Sequence, residues 1–233
     1  MSLTYATYEA QILDLIPSMS AAQFTVMSPG MIDYAEQRIY RELNLLTQVV
    51  RDSSGALAAS NRNFTFPSHF VVTETINVVT PAGTTNPELG TRVQLTPTTK
   101  EVLDVLWSSA SGAGVPTFFA MVTDQTILVG PWPDHAYTVE VIGTQRPTPL
   151  SATNTTTFLT LYLPDLFIAA SMVYASGWMR NFGSQSDDPK MAASWEAQYG
   201  SLKQSADVEE LRKRFSGPAW TSEAPSPIAT PTR

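Results

Sequence analysis

Two histidines, a pair of turn-side aspartates and one basic triplet are where side-chain chemistry would have to begin in this chain. His69 and His135 are its only histidines, and each stands beside a turn. A lone histidine in that setting reads as a surface or structural residue. Asp124 and Asp134 would have to face one another to work as general acid and base. Both lie where Asp favours turns, in Thr-Asp-Gln and Pro-Asp-His, and that accounts for them. Gly112-Ala113-Gly114 lacks the third glycine and the following helix of a dinucleotide fingerprint, so it reads as a linker. No phosphate-cradling loop and no Gly-x-Ser-x-Gly occur. With no cysteine there is neither a disulfide nor a thiolate zinc site. Arg212-Lys213-Arg214 has two readings: cations complementing the dipole at a helix C-terminus, or a docking patch for a partner. The sequence thus offers no catalytic, cofactor-binding or metal-ligating set. A non-enzymatic protein that works through its surfaces is expected.

The composition supports that expectation. The chain has 233 residues, 43% hydrophobic and only 15% charged, against roughly 25% charged in an ordinary soluble domain. A weakly charged surface is a surface available to partners. The net charge is −7, from 14 basic and 21 acidic residues, and no basic stripe appears. A stable footprint on nucleic acid is therefore not expected, although DNA passing nearby without sticking is compatible. The N-terminal stretch has no basic n-region and contains Glu9 and Asp14, so it does not read as a signal peptide. Phe158 to Met179 is long and apolar, but Pro164 and Asp165 interrupt it, so a buried helix is expected, not a membrane span.

These residues must be positioned by helices at both ends and strands between. Leu3 to Ile16 has helical spacing at Tyr5, Tyr8, Ile12 and Leu15. Ser28 as N-cap and Pro29 at the first helical position predict a second helix, with Ile32, Ala35, Ile39, Leu43 and Leu46 as its stripe. The run from Arg51 to Asn61 reads as a loop. Residues 63–80 read as strands, with Val72, Ile76 and Val78 on one face and Thr73, Thr75 and Asn77 on the other. Residues 80–92 read as a long Gly/Pro loop. Residues 96–107 fit a short helix with Thr98 and Glu101 at capping-box spacing, and equally a strand alternating at Val102, Asp104 and Leu106. A hairpin turning at Asp124-Gln125 follows, then a strand with Tyr137, Val139 and Val141 inward. Arg146 to Leu150 is a Pro-fixed connector. The helix after Pro164 is apolar nearly all round and must be buried on every side, with Gly183 as its cap. A last helix begins at Asp188-Pro189, with the stripe Met191, Trp195, Tyr199, Leu202 and Ala206. Its phase breaks near Asp207, predicting a kink or a second short helix behind a Glu210 capping box. The Pro-rich end, Ser216 to Arg233, cannot pack, yet keeps Trp220 and Ile228.

The order helix–helix, strand-rich insert, buried helix, amphipathic helix, Pro-rich tail resembles the head-to-tail adaptor (connector) proteins of tailed bacteriophages. The head-side tail tubular protein of short-tailed phages belongs to that group. The carriers are MIDYAEQRIYRELNL, the Phe-Pro-Ser-His-Phe step at 66–70, GVPTFFAMVTDQTILVGPWPDHAYTVEVIG and LYLPDLFIAASMVYASGWMRNFG. The resemblance implies an α+β fold: a helical bundle with an inserted antiparallel β-rich domain and an extended C-terminal arm. The corresponding segments are 1–50 and 151–215 for the helical body, 51–150 for the insert and 216–233 for the arm. It further implies a structural virion protein, assembled in the host cytoplasm, forming a ring, commonly of twelve copies in that family, that joins the portal to the tail around the DNA channel. Expected partners are further copies of the chain, the portal protein and the next tail component (nozzle or tube). Genomic DNA would pass without specific binding, and no membrane or cofactor is expected. Arg212, Lys213, Arg214, Phe215, Trp220 and Ile228 are the expected portal-docking residues. Phe167, Met172, Trp178, Trp195 and Tyr199 are expected in the bundle core or between subunits. The alternative is a tail-associated receptor- or glycan-binding module, with Trp132 as a sugar-stacking surface.

Overall fold

The computed structural model describes residues 3–16, 19–179 and 189–215, with the backbone alone for residues 178, 179, 189–192 and 215. The elements run α1 (Tyr5–Leu15), α2 (Ala21–Glu42), β1 (Val49–Leu57), β2 (Asn63–Thr65), β3 (Phe70–Thr80), β4 (Thr91–Gln94), β5 (Thr96–Pro97), α3 (Lys100–Leu106), β6 (Phe118–Thr123), β7 (Thr126–Gly130), β8 (Tyr137–Gln145), α4 (Phe158–Tyr162), α5 (Pro164–Met179) and α6 (Pro189–Phe215). The fold is α+β, in two compact units. One is discontinuous, Met1–Leu46 with Thr148–Arg233; the other is Thr47–Pro147.

The discontinuous unit is helical. Thr4 caps α1 and Ser20 caps α2, each in a reciprocal capping box with the residue three further on, Thr7 and Gln23. Helix α2 therefore begins two turns before the expected Ser28-Pro29 start, and Pro29 lies inside it. The missing Pro29 amide removes one backbone bond of the 22-residue helix. The cap at Ser20 and the burial of Phe24, Met27 and Met31 on the same face hold both halves in line. Gly30 follows: a Cβ there would stand 2.9 Å from the Tyr174 hydroxyl, so α5 passes close to α2 at this turn. Ahead of Pro164, the apolar stretch read as helical from Phe158 begins with a separate short helix, α4; Thr157 caps it in another box with Thr160.

Helix α5 is wrapped by the chain's own residues. Leu166, Phe167, Ala169, Ala170, Met172 and Ala175 are buried in one cluster with Tyr8 and Ile12 of α1, Phe24, Met31 and Ile39 of α2, and Tyr199 of α6. A helix with apolar residues on all faces needs such cover, and here a single subunit supplies it. Helix α6 runs unbroken to Phe215, with no second helix near Asp207. The phase break is instead a buried carboxylate: Glu210, 4% exposed, accepts the Leu46 backbone N–H at 3.0 Å and the Lys213 ammonium at 2.6 Å. The expected caps at Gly183 and Asp188, and the arm with Trp220 and Ile228, lie outside the described residues.

The Thr47–Pro147 unit holds two four-stranded sheets, ordered β1-β8-β3-β4 and β2-β7-β6-β5. All pairs are antiparallel except β5–β6, which is parallel, so the expectation of an antiparallel insert fails at that pair. One cluster joins the sheets, with Leu57, Phe64, Phe66, Ile76, Val78, Leu95, Ile127, Val129, Tyr137, Val139 and Val141 buried. The Ser-rich run expected to be a loop is strand β1. It pairs with β8 from Val49–Thr144 to Leu57–Tyr137 and absorbs its serines in an irregularity between Asp52 and Gly55. A register shift in β3 between Thr73 and Thr75 moves Val72 out of phase with Ile76 and Val78. Val72 is 57% exposed, while Asn77, expected outside, is buried. The 80–92 loop closes into strand β4, paired with the end of β3. Residues 100–106 form a helix; Thr99, not Thr98, is its N-cap, and no side-chain cap bond is made. The hairpin at Asp124-Gln125 and the inward face of β8 are as read.

Candidate assembly surfaces

The basic triplet closes the described part of α6, and two of its cations hold the helix to its own unit. Lys213 reaches Glu210 at 2.6 Å and Glu209 at 3.2 Å and lies 5.1 Å from the centre of the Phe158 ring. The Glu210 hydrogen bond leads in raising the Lys213 pKa. Arg214 donates to the Asn44 carbonyl at 3.0 Å and to its Oδ1 at 2.6 Å. Arg212 is exposed, as are Val208 and Leu211 on the same helix. Phe215 is described by its backbone only, and Trp220 and Ile228 are outside the described residues. Of the expected aromatic and apolar set, Phe167 and Met172 are fully buried, Tyr199 is 1% exposed, and Trp195 packs half-buried against the same cluster. The Trp178 side chain is outside the description.

Three polar constellations escaped the sequence reading. In the first, Arg38 of α2 forks onto Glu196 of α6, bonds Glu42 at 3.0 Å, and lies 4.1 Å from the centre of the Tyr199 ring. Tyr199 in turn donates to Glu42 at 3.1 Å, and Lys203 reaches Glu42 at 2.9 Å. The second is Glu36, 3% exposed, which accepts the Leu150 backbone N–H at 3.0 Å where the chain re-enters the helical unit. Burial pushes its pKa up to about 7 against the pull of that hydrogen bond, and nearby Asp33 adds to the rise. The third is Glu140 on β8, 1% exposed, which is ion-paired to Arg51 and accepts from Arg92 at 2.8 Å and Asn77 at 3.0 Å. Burial pushes its carboxyl up, but these donors and charges outweigh it and hold its pKa low. Both arginines also share Glu88. Arginine and glutamate scattered across different elements leave no sequence spacing to read, so only the isolated polar positions within apolar stripes signalled them.

The residues considered for chemistry are dispersed. Asp124 precedes β7 and Asp134 follows it, so they are not a facing pair. Asp134 instead accepts the Tyr137 hydroxyl at 2.6 Å, which lowers its pKa, and lies 3.2 Å from His135. His69 stands 3.4 Å from Asp52. Trp132, the proposed sugar platform, is half-buried. Its Nε1 donates to the Trp107 carbonyl at 2.9 Å, and the Arg62 guanidinium lies 5.3 Å from its ring centre. Among the described residues no three of His, Asp or Glu gather to hold a metal, and no helix is long and apolar enough to cross a membrane.

What the β unit does present is uncovered apolar surface. A groove of about 430 Å³ opens between β3 and β6, lined among others by Phe66, Phe70, Val72, Glu74, Phe119 and Met121. Nearby, α3 is anchored through Leu103 and Trp107. It leaves Val102, Val105 and Leu106 exposed at helical i, i+3, i+4 spacing. Such surface on a chain with this little charge marks contact with other proteins. A search of curated proteins found no match to the chain. The sequence model of the SU10 adaptor protein family matches residues 3–222, spanning both units. The chain belongs to the SU10 adaptor protein family and is a phage head-to-tail adaptor, a structural component of the virion.

Proposed function

We propose that copies of this chain form a ring, of about twelve by analogy with the adaptors it resembles, that joins the portal to the tail around the DNA channel. The family match over residues 3–222 carries the reading. The helical unit forms the body of the ring and the β unit meets the next tail component. The C-terminal segment 216–233 docks on the portal through Trp220 and Ile228, with Arg212 beside it. The net charge of −7 and the absence of a basic stripe support passage of DNA without capture. No catalytic role is assigned. The engagement of Trp132 with Trp107 and Arg62 favours a packing role for this ring over the glycan-binding alternative. The test is to mix the protein with its portal and image the product by negative stain. Rings stacked coaxially on portals are expected. A protein that stays monomeric and unattached at saturating portal overturns the proposal.

A further inference from the structure

We infer that the groove between β3 and β6 receives an extended segment of a different protein, with apolar residues at alternate positions and Lys or Arg beside them, added as a strand to the open edge of β3. The inference rests on the adaptor reading and specifies the chemistry of its tail-side partner. Strand β8 pairs one edge of β3 from Phe70 to Val78, but β4 pairs the other edge only from Asn77 to Thr80. The last bond on that second edge, Leu95 N–H to the Ile76 carbonyl, is 2.9 Å long. Beyond it, residues 70–75 have no strand partner on this side among the described residues. Across the groove, β5 covers β6 only at Phe118 and Phe119. Thr98 adds one bond to the Phe119 carbonyl at 2.8 Å before the chain leaves for α3. Two strand edges therefore stop being paired at the same place.

The side chains at that place are what an incoming strand would cover. Val71, Val72 and Met121 are 53%, 57% and 51% exposed, while Ile76, Leu95 and Phe66 beneath them are buried. An uncovered, apolar strand edge is an aggregation hazard that folded proteins otherwise blunt with charge, proline or a covering element. Among the described residues, the only ionisable ones lining the groove are Glu74 and Asp124, both acidic and exposed, so an occupant carrying cations is favoured. Among the described residues, the strands of a second copy do not supply that charge. The strand-borne cations Arg51 and Arg92 are held by Glu88 and Glu140, and Arg62, at the start of β2, is buried against Trp132. Residues 216–233 of another copy contain Pro218, Pro225, Pro227 and Pro231, which cannot donate to a strand ladder.

The experiment uses the full chain and adaptor-free tails purified from the same virions, with hydrogen exchange and binding as readouts. The amides of residues 70–76 and 121–125 should exchange more slowly in the complex than in the free protein. The double variant Glu74→Gln, Asp124→Asn removes both charges from exposed residues and keeps a turn-favouring side chain at 124, so its circular dichroism and melting should be unchanged. Its binding to tails should weaken by about tenfold or more. Unslowed exchange in the complex overturns strand addition. Undiminished binding by the double variant overturns the charge assignment. Slowing that already appears when the protein assembles alone assigns the groove to a second copy and overturns the choice of a different protein. The portal-attachment experiment reads none of these, so failure here and failure of the ring proposal are distinguishable.

Discussion

Burial makes the charge of Glu36 costly for the helical unit. Its folded pKa of about 7 lies above the ordinary 4.5, so the folded state binds this proton more tightly than the unfolded chain does. Its contribution to stability is then complete below about pH 4.5 and is lost as pH rises through 7. The shift corresponds to roughly 3 kcal/mol. Glu36→Gln keeps an acceptor for Leu150 and removes the charge. Its stability relative to wild type should therefore rise between pH 4.5 and 7, read as the difference in urea midpoints. Parallel profiles for the two proteins would sink the assignment. Two glycines give a paired test of close packing. A Cβ at Gly143 would lie 2.3 Å from the Val72 backbone carbonyl, which cannot swing aside, whereas at Gly30 it meets the movable end of Tyr174. Gly143→Ala should cost about 2–3 kcal/mol in denaturant unfolding. Gly30→Ala should be near neutral, because helix propensity gains up to about 1 kcal/mol. Equal effects at the two sites would show that backbone proximity is not what demands glycine at 143.

Between elements, the α2–α6 contact turns on Arg38, whose forked hydrogen bonds to Glu196 and stacking on Tyr199 are things a lysine cannot reproduce. Arg38→Ala and Arg38→Lys should both lower stability, each by on the order of 1–2 kcal/mol. Full rescue by lysine in a chemical melt would reduce the site to a simple surface charge pair. The same contact shows what the sequence could say. Tyr199 and Ala206 were legible as a buried stripe because apolar periodicity is a local signal. Glu210 reads as a capping-box partner behind a break at Asp207, because the true partner of its buried carboxylate, the Leu46 amide, is far away in sequence. Strand β1 was hidden for a similar reason. Its serines signal a turn, and only pairing with β8, about ninety residues later, makes it a strand. Pro29 reads as a helix start by its type alone, whereas the stronger signal, the Ser20–Gln23 box, lies two turns earlier. The β6–β7 hairpin and the alternation of β8 were readable, since both are encoded within a few residues.

At the scale of the molecule, the chain enters the β unit along β1 and leaves along β8, and these two strands are paired, with Val49 opposite Thr144. The ends of Thr47–Pro147 are therefore adjacent, and the unit has its own core. A fragment of those residues alone should fold and melt cooperatively by circular dichroism. A fragment without a melting transition would mean that the unit depends on the rest of the chain. Function was legible at this scale only through resemblance. The −7 charge and uncovered apolar surface mark a protein that works by contact, but no residue spacing encodes which partner is contacted. The paired entry and exit strands also have a mechanical consequence. Tension that draws residues 46 and 148 apart enters β1 and β8 at the same end of their ladder, at Val49–Thr144. The hydrogen bonds there are loaded in sequence, as in a zipper, and not together in shear. A modest pull would therefore peel the entry strand from the exit strand one pair at a time, starting at the junction through which the load arrives.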